Sequence, residues 1–368
     1  MIGQPVLVLG AGINGAAIAR ELLLNGISVS VVDRALVPPG PFTPNVRRNL
    51  LMALLAGLLG GLGLIFLVEY LDNTVKGPED VEKLTGLPSL GIIPFLSPDG
   101  GRKRSDVYGS SRSYGSEEAA AGGDAPIVRE IELINHLYPK FSIAEDYRTV
   151  RTSILFSHAD SAPKTIAFTS TLPQEGKTAT VSNLAVSFAQ LEGKVLLVDA
   201  DMRKPRLSKV FNLRNTNGLS SYLAGKKGFD EVVQKTSIEN VWTIPSGPHP
   251  PNPAELLNSK RMRELLAQAK EAFNVVLLDT PPVLAVIDPV IVSSLADSTV
   301  LVVRAGKTTR RPLVRAIEEI RKSKADIIGV VFNEVRIGRQ GIGTPFYHYY
   351  QYEYESQDGP KNRPQGNP

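Results

Sequence analysis

The sequence predicts an α/β protein whose core is a mostly parallel sheet with helices on both faces, preceded by one membrane-spanning helix and a short strand-helix-strand fragment. Three observations carry this expectation. From Lys164 onward, apolar runs of strand length alternate with amphipathic helical stretches. Three of these segments close on Gly-Lys-Thr or Asp-rich motifs, at the strand ends where parallel sheets present ligand-binding groups. Ahead of them, residues 49–68 (NLLMALLAGLLGGLGLIFLV) run twenty positions without a charge.

Composition bounds the function classes. The 368 residues suit two or so domains, and 42% hydrophobic content is enough for a sizeable core. Formal net charge is only +4, and the basic residues are spread along the chain, so no nucleic-acid partner is expected. With no cysteine there is no disulfide framework, thiolate zinc site or Cys nucleophile.

Taken in order, residues 1–36 read as an apolar strand, the run Gly10-Ala11-Gly12-Ile13-Asn14-Gly15, a helix, and a second strand ending in Asp33. Glycines before a helix admit a pyrophosphate, and an acidic residue about 20 positions on meets a ribose hydroxyl. This fragment resembles the FAD-binding opening of a flavin-dependent glycerol-3-phosphate dehydrogenase, but the rest of such a domain does not follow it. A truncated or chimeric Rossmann-like start is expected. A Pro-rich segment (37–48) follows.

Residues 49–68 span about 30 Å as a helix, the thickness of a hydrocarbon layer. Gly57 and Gly61 form a small-xxx-small pair. Arg47 and Arg48 precede the helix while Lys76 and Lys83 follow it, so basic flanks do not set its orientation. If the domain that follows works in the cytoplasm, residues 1–48 lie outside. Residues 69–96 read as a juxtamembrane segment, and 97–126, rich in Ser, Gly, Arg and Ala, as a flexible linker.

The expected catalytic domain is 127–338. Candidate strands are 165–169, 195–198, 241–245, 275–278, 299–303 and 327–332, with helices at 177–191, 253–273, 289–295 and 312–322. Ser170-Thr171-Leu172-Pro173-Gln174-Glu175-Gly176-Lys177-Thr178 follows a strand and opens a helix, as a phosphate cradle must. This makes the expected fold P-loop NTPase-like. Pro173, Gln174, Glu175 and Gly176 would wrap the phosphates together with Thr180. Lys177 would neutralise the β- and γ-oxygens, and Thr178 would offer its hydroxyl to Mg²⁺.

Asp199 and Asp201, after the run Val195-Leu196-Leu197-Val198, are candidate Mg²⁺ ligands, and either could accept the proton of an attacking phenol, whose reference pKa is near 10. Asp279, closing the strand before Thr280-Pro281-Pro282, has the form of a carboxylate that binds Mg²⁺ directly or through water. The last segment, 339–368, carries Tyr347, Tyr349, Tyr350, Tyr352 and Tyr354, five phenols in eight residues, and reads as substrate rather than scaffold.

These motifs, with Ala144-Glu145-Asp146-Tyr147-Arg148-Thr149-Val150-Arg151-Thr152 and Pro250-Pro251-Asn252-Pro253-Ala254-Glu255-Leu256-Leu257, resemble bacterial tyrosine autokinases of capsule and exopolysaccharide export. The resemblance covers about residues 35–354. It implies ATP and Mg²⁺ as cofactors and the five tail tyrosines as phosphoacceptors, modified in trans. It also implies a ring-like homo-oligomer held through Glu145, Arg148 and Arg151, and a single-pass place in the bacterial inner membrane with the kinase domain in the cytoplasm. Expected partners are the polysaccharide polymerisation and export machinery, phosphorylated protein substrates and a phosphotyrosine phosphatase. The first membrane helix and outer domain of that family are replaced here by the Rossmann-like fragment.

Two other functions fit parts of the sequence. A partitioning-type P-loop ATPase would carry a signature lysine early in the phosphate loop, where this chain has Leu172. A flavin oxidoreductase would need a substrate domain after residue 36.

Overall fold

The computed structural model describes residues 6–7, 13–27, 29–30, 45–95, 131–139, 141–191 and 193–335, and the chain divides at Asp72 into two compact units. In the first unit, β1 (Val6–Leu7) pairs in parallel with β2 (Val29–Ser30), and helix Ile13–Leu24 connects them. Gly10, Gly12, Asp33 and residues 37–44 of the Pro-rich segment lie outside the described residues, and its last four residues open the helix that follows. Helix Val46–Leu71 extends the expected 49–68 span by three residues at each end. Asn45 starts it, its side-chain oxygen accepting the Arg48 N–H at 3.3 Å. None of its residues is buried, and its length and composition suffice to cross a membrane.

The second unit is built on an eight-stranded sheet in the order β3-β10-β9-β4-β8-β5-β7-β6. The strands are β3 (Ser89–Pro94), β4 (Thr165–Ser170), β5 (Val195–Asp199), β6 (Gln234–Lys235), β7 (Val241–Ile244), β8 (Val275–Asp279), β9 (Ser298–Arg304) and β10 (Ile327–Val335). Every neighbouring pair is parallel except β6 with β7. All six expected strands are present. The structure adds β6 at one edge and, at the other, β3 from the segment read above as juxtamembrane.

Successive side chains of a strand face opposite sides, and both sides here are covered. Ile166, Phe168, Leu197 and Leu277 join Tyr147, Val150 and Ile154 of helix Ser142–Leu155 and Val181, Leu184 and Phe188 of helix Lys177–Ala189 in one core. Ala167, Leu196, Val198, Val276 and Leu278 turn the other way, onto Leu265 and Leu266 of helix Lys260–Ala272 and Val292 of helix Asp288–Leu295. A third cluster lies under helix Arg310–Lys322, where Leu313, Ile317 and Ile320 meet Leu301, Val303 and Phe332.

One expected helix divides in two. Residues 253–273 form Pro253–Leu257 and Lys260–Ala272, because the Ser259 hydroxyl accepts the Met262 N–H at 3.3 Å and begins a new helix.

Candidate nucleotide-binding and catalytic site

β4, β8 and β5 are adjacent, parallel and in register. Phe168 lies opposite Asp279, and Asp279 opposite Asp199. The three motifs therefore meet at one end of the sheet, although 102 positions separate Lys177 from Asp279. The loop after β4 turns through Gln174 at φ 64° and Gly176 at φ 85° before helix Lys177–Ala189 begins. Glycine is required at 176 on two counts: the left-handed φ, and an Asn333 amide standing where a Cβ would project.

The loop's polar groups are held from outside it. Asn333 Nδ2 donates to the Glu175 carbonyl at 3.0 Å, and an Arg304 guanidinium N–H donates to the Gln174 carbonyl at 3.3 Å. Glu175 itself turns inward, 2% exposed; its carboxylate accepts the Leu172 N–H at 2.9 Å and the Thr308 hydroxyl. Burial pushes its carboxyl up to about 7, against the lowering effect of those donors.

Lys177 Nζ forms an ion pair with Asp279, and the Thr178 hydroxyl donates to the second Asp279 oxygen at 2.8 Å. Burial raises the Asp279 carboxyl, and the Lys177 charge opposes that rise. Asp199 is fully buried. Its Oδ2 accepts the Arg206 and Leu207 N–H groups, both at 3.1 Å, while Oδ1 has no hydrogen-bond partner. Burial, followed by the Asp279 charge, moves its carboxyl up to about 8. Asp201 Oδ1 accepts the Lys204 N–H at 2.9 Å and the Arg203 N–H at 3.3 Å.

A cavity of about 720 Å³ opens over this strand end, lined among others by Lys177, Thr178, Asp201, Arg203, Pro282 and Asn333. That volume lies within the roughly 300–1,000 Å³ of small-molecule sites. Pro173, Gln174, Glu175 and Gly176 also line it. Thr180 does not: it is buried on the helix, its hydroxyl unpartnered.

For a divalent cation the available donors are a hydroxyl and carboxylates, which are hard oxygen ligands. Among the described residues no three His or acidic groups form a ready cage. That oxygen donor set fits Mg²⁺, which takes one or two protein oxygens and fills its octahedron with phosphates and water. The unpartnered Asp199 Oδ1 is a buried polar atom that such a hydrated ion would satisfy.

Several residues at the site were not singled out from sequence as functional. Arg203 lines the cavity and is gripped by the buried Asp288 carboxylate at 2.8 and 3.1 Å, and Arg304, Asn333 and Thr308 brace the phosphate loop. Asn333 had a readable signal, being a polar residue near the end of an apolar strand, as Asp279 is. Glu145, Arg148 and Arg151 share helix Ser142–Leu155. Glu145 and Arg148 pair with each other, and Arg151 donates to the Ser187 carbonyl. The tyrosine cluster lies outside the described residues.

A parallel sheet with a phosphate loop and facing carboxylates at one strand end defines a P-loop nucleotide-binding protein, and residues 163–329 match the AAA domain family. The chain is 43% identical over 212 residues to the tyrosine-protein kinase YwqD of Bacillus subtilis, covering 58% of this chain and 88% of that one. It is 31% identical over 328 residues to the tyrosine-protein kinase wzc of Salmonella typhimurium, covering 89% of this chain but 43% of that one. The solved kinase domain of Escherichia coli tyrosine kinase ETK superposes with a TM-score of 0.61 at 31% identity, over 73% of this chain and 98% of that one. The chain belongs to the bacterial tyrosine-protein kinases.

Proposed function

We propose that this chain is a membrane-anchored autokinase that transfers the γ-phosphate of ATP to its own tyrosine cluster, Tyr347 to Tyr354, in a neighbouring copy. The observation that carries the proposal is the convergence of Lys177, Thr178 and Asp279: Lys177 and Thr178 line a cavity together with Asp201 and Arg203, and the buried Asp279 carboxylate holds both of them. The loop amides and Lys177 hold the phosphates. Thr178 and the carboxylates hold Mg²⁺, which when bound neutralises charge on the β- and γ-oxygens.

The phenol oxygen of an incoming tyrosine attacks the γ-phosphorus, the bond to the bridging oxygen breaks, and ADP leaves. The phenolic proton passes to a carboxylate. Asp201 is the better placed acceptor, because it lines the cavity, whereas Asp199 is fully buried and does not. Helix Val46–Leu71 anchors the kinase to the inner membrane with the sheet domain in the cytoplasm. There, rings of copies would tune capsule or exopolysaccharide polymerisation and export through cycles of tail phosphorylation and phosphatase action. Leu172 at the place of the partitioning ATPases' lysine favours the kinase over that alternative. Incubation with ATP and Mg²⁺, followed by mapping of the phosphorylated residues, tests the proposal.

A further inference from the structure

Sequence motifs account for the residues that meet ATP but not for what keeps the phosphate loop in its shape. The loop's turn is unfavourable on its own: Gln174, a non-glycine residue, sits at φ 64°, a left-handed conformation that persists only where surroundings impose it. A carboxylate is also a poor neighbour for a triphosphate, so Glu175 does not serve the loop by attracting ligand.

We propose that Glu175 and Thr308 form a latch that presets the phosphate loop for ATP, which makes Thr308 a positioning residue of the kinase although it lies outside all three motifs. The donor geometry is directional. Thr308 Oγ1 accepts the Arg304 N–H at 3.0 Å, so the one hydroxyl proton is available to Glu175 Oε1. Glu175 Oε2 meanwhile accepts the Leu172 N–H at 2.9 Å, closing the loop on itself. Both partners of the latch are buried, Glu175 at 2% and Thr308 at 1% exposure, where a hydrogen bond to a carboxylate is worth more than at the surface.

Thr308 is itself immobilised. Its carbonyl accepts the Val75 N–H at 2.8 Å, Gly306 N–H donates to the Val75 carbonyl at 2.9 Å, and Arg310 N–H donates to the Asn73 carbonyl at 3.0 Å. Arg304, at the start of the same turn, holds the Gln174 carbonyl. One rigid turn therefore grips the phosphate loop at two consecutive residues, and the amides that face the phosphates need no rearrangement when ATP arrives.

The test measures ATP affinity by calorimetry with ATP and Mg²⁺, alongside KM, kcat and Tm, on the full chain and its Thr308→Val, Thr308→Ser and Glu175→Gln variants. Thr308→Val should raise Kd and KM for ATP about tenfold, with kcat close to that of the parent and a Tm lowered modestly by the Arg304 N–H left without its acceptor, as loss of one charge-assisted hydrogen bond implies. Thr308→Ser should restore both. Glu175→Gln turns one acceptor into a donor and should weaken ATP similarly, and the double variant should be no worse than either single one. Parental Kd and KM in Thr308→Val would overturn the latch, as would a loss of affinity that tracks a fall in Tm and is not restored by serine. The inference rests on the nucleotide-site reading, but calorimetry separates the two. ATP binding that depends on Thr308 without any phosphotyrosine would keep the latch and refute the kinase proposal.

Discussion

Asp199 and Asp201 stand two residues apart, yet their surroundings assign them different work. Asp199 Oδ2 satisfies two backbone N–H groups, so Asp199→Ala should lose Mg²⁺-dependent activity and also about 1–3 kcal/mol of stability through the orphaned amides. Asp201 faces the cavity, and Asp201→Asn should lose activity with the smaller change in Tm. Full turnover in both variants, measured against the parent, would mean that the pair is structural only.

Glu175 gives the residue scale a pH dependence. Its folded carboxyl titrates at about 7 against an ordinary 4.5, so the folded state holds this proton more tightly than the unfolded chain does. The resulting stability is fully present below the ordinary value and is lost as pH rises through about 7, an effect on the order of 3 kcal/mol. The parent's Tm should therefore fall more between pH 5 and 8 than that of Glu175→Gln, by thermal melts across that range. Parallel Tm profiles would show that Glu175 titrates normally.

Among the elements, β3 depends on one glycine. Gly91 has φ 155°, and a Cβ there would come within 2.5 Å of Val150 Cγ2 on helix Ser142–Leu155. Gly91→Ala should destabilise the sheet domain by roughly 1–3 kcal/mol through this overpacking, read by denaturant unfolding. An unchanged midpoint would show that β3 is loosely held.

The same strand marks the limit of what was legible in the sequence. β4, β5, β8 and β9 were readable because they are apolar runs buried on both faces. β3 breaks its apolar run with Gly91 and joins the sheet only through β10, more than two hundred residues later. β6 is two residues long and has no periodicity to read. The site divides the same way. Lys177, Thr178 and Asp279 were visible because each adjoins a strand end within its own motif. Asp288 and Thr308 act across sequence separations of 85 and 133 residues, with no local pattern to announce them, and Asn333, whose place near the end of an apolar strand was readable, reaches its partner across 158.

At the scale of the whole molecule, the proposal requires that tails reach neighbouring active sites and leave them once phosphorylated. From Arg339 to Pro368 the tail holds three basic and three acidic residues, so unmodified it is near neutral. Each phosphate adds about −1.5 to −2 charges, and five would give roughly −8 to −10, repelling bound ATP and adjacent tails. Replacing Glu145, Arg148 and Arg151 together by Ala should shift the full chain in detergent toward monomer by light scattering and slow tail phosphorylation. A variant that remains oligomeric and phosphorylates at the parental rate would place the contacts between copies elsewhere.

Phosphosite mapping of the parent, of Lys177→Met, and of the two mixed, after incubation with ATP and Mg²⁺, tests the assignment most directly. Methionine keeps the buried stem of Lys177 and removes the ammonium that would meet the γ-phosphate, so phosphotyrosine should fall by about a hundredfold or more while the fold persists. The expected result is phosphate on Tyr347, Tyr349, Tyr350, Tyr352 and Tyr354 of the parent, almost none on Lys177→Met alone, and its return to the Lys177→Met tails in the mixture. ATP hydrolysis without phosphotyrosine, or undiminished phosphotyrosine on Lys177→Met alone, would contradict it.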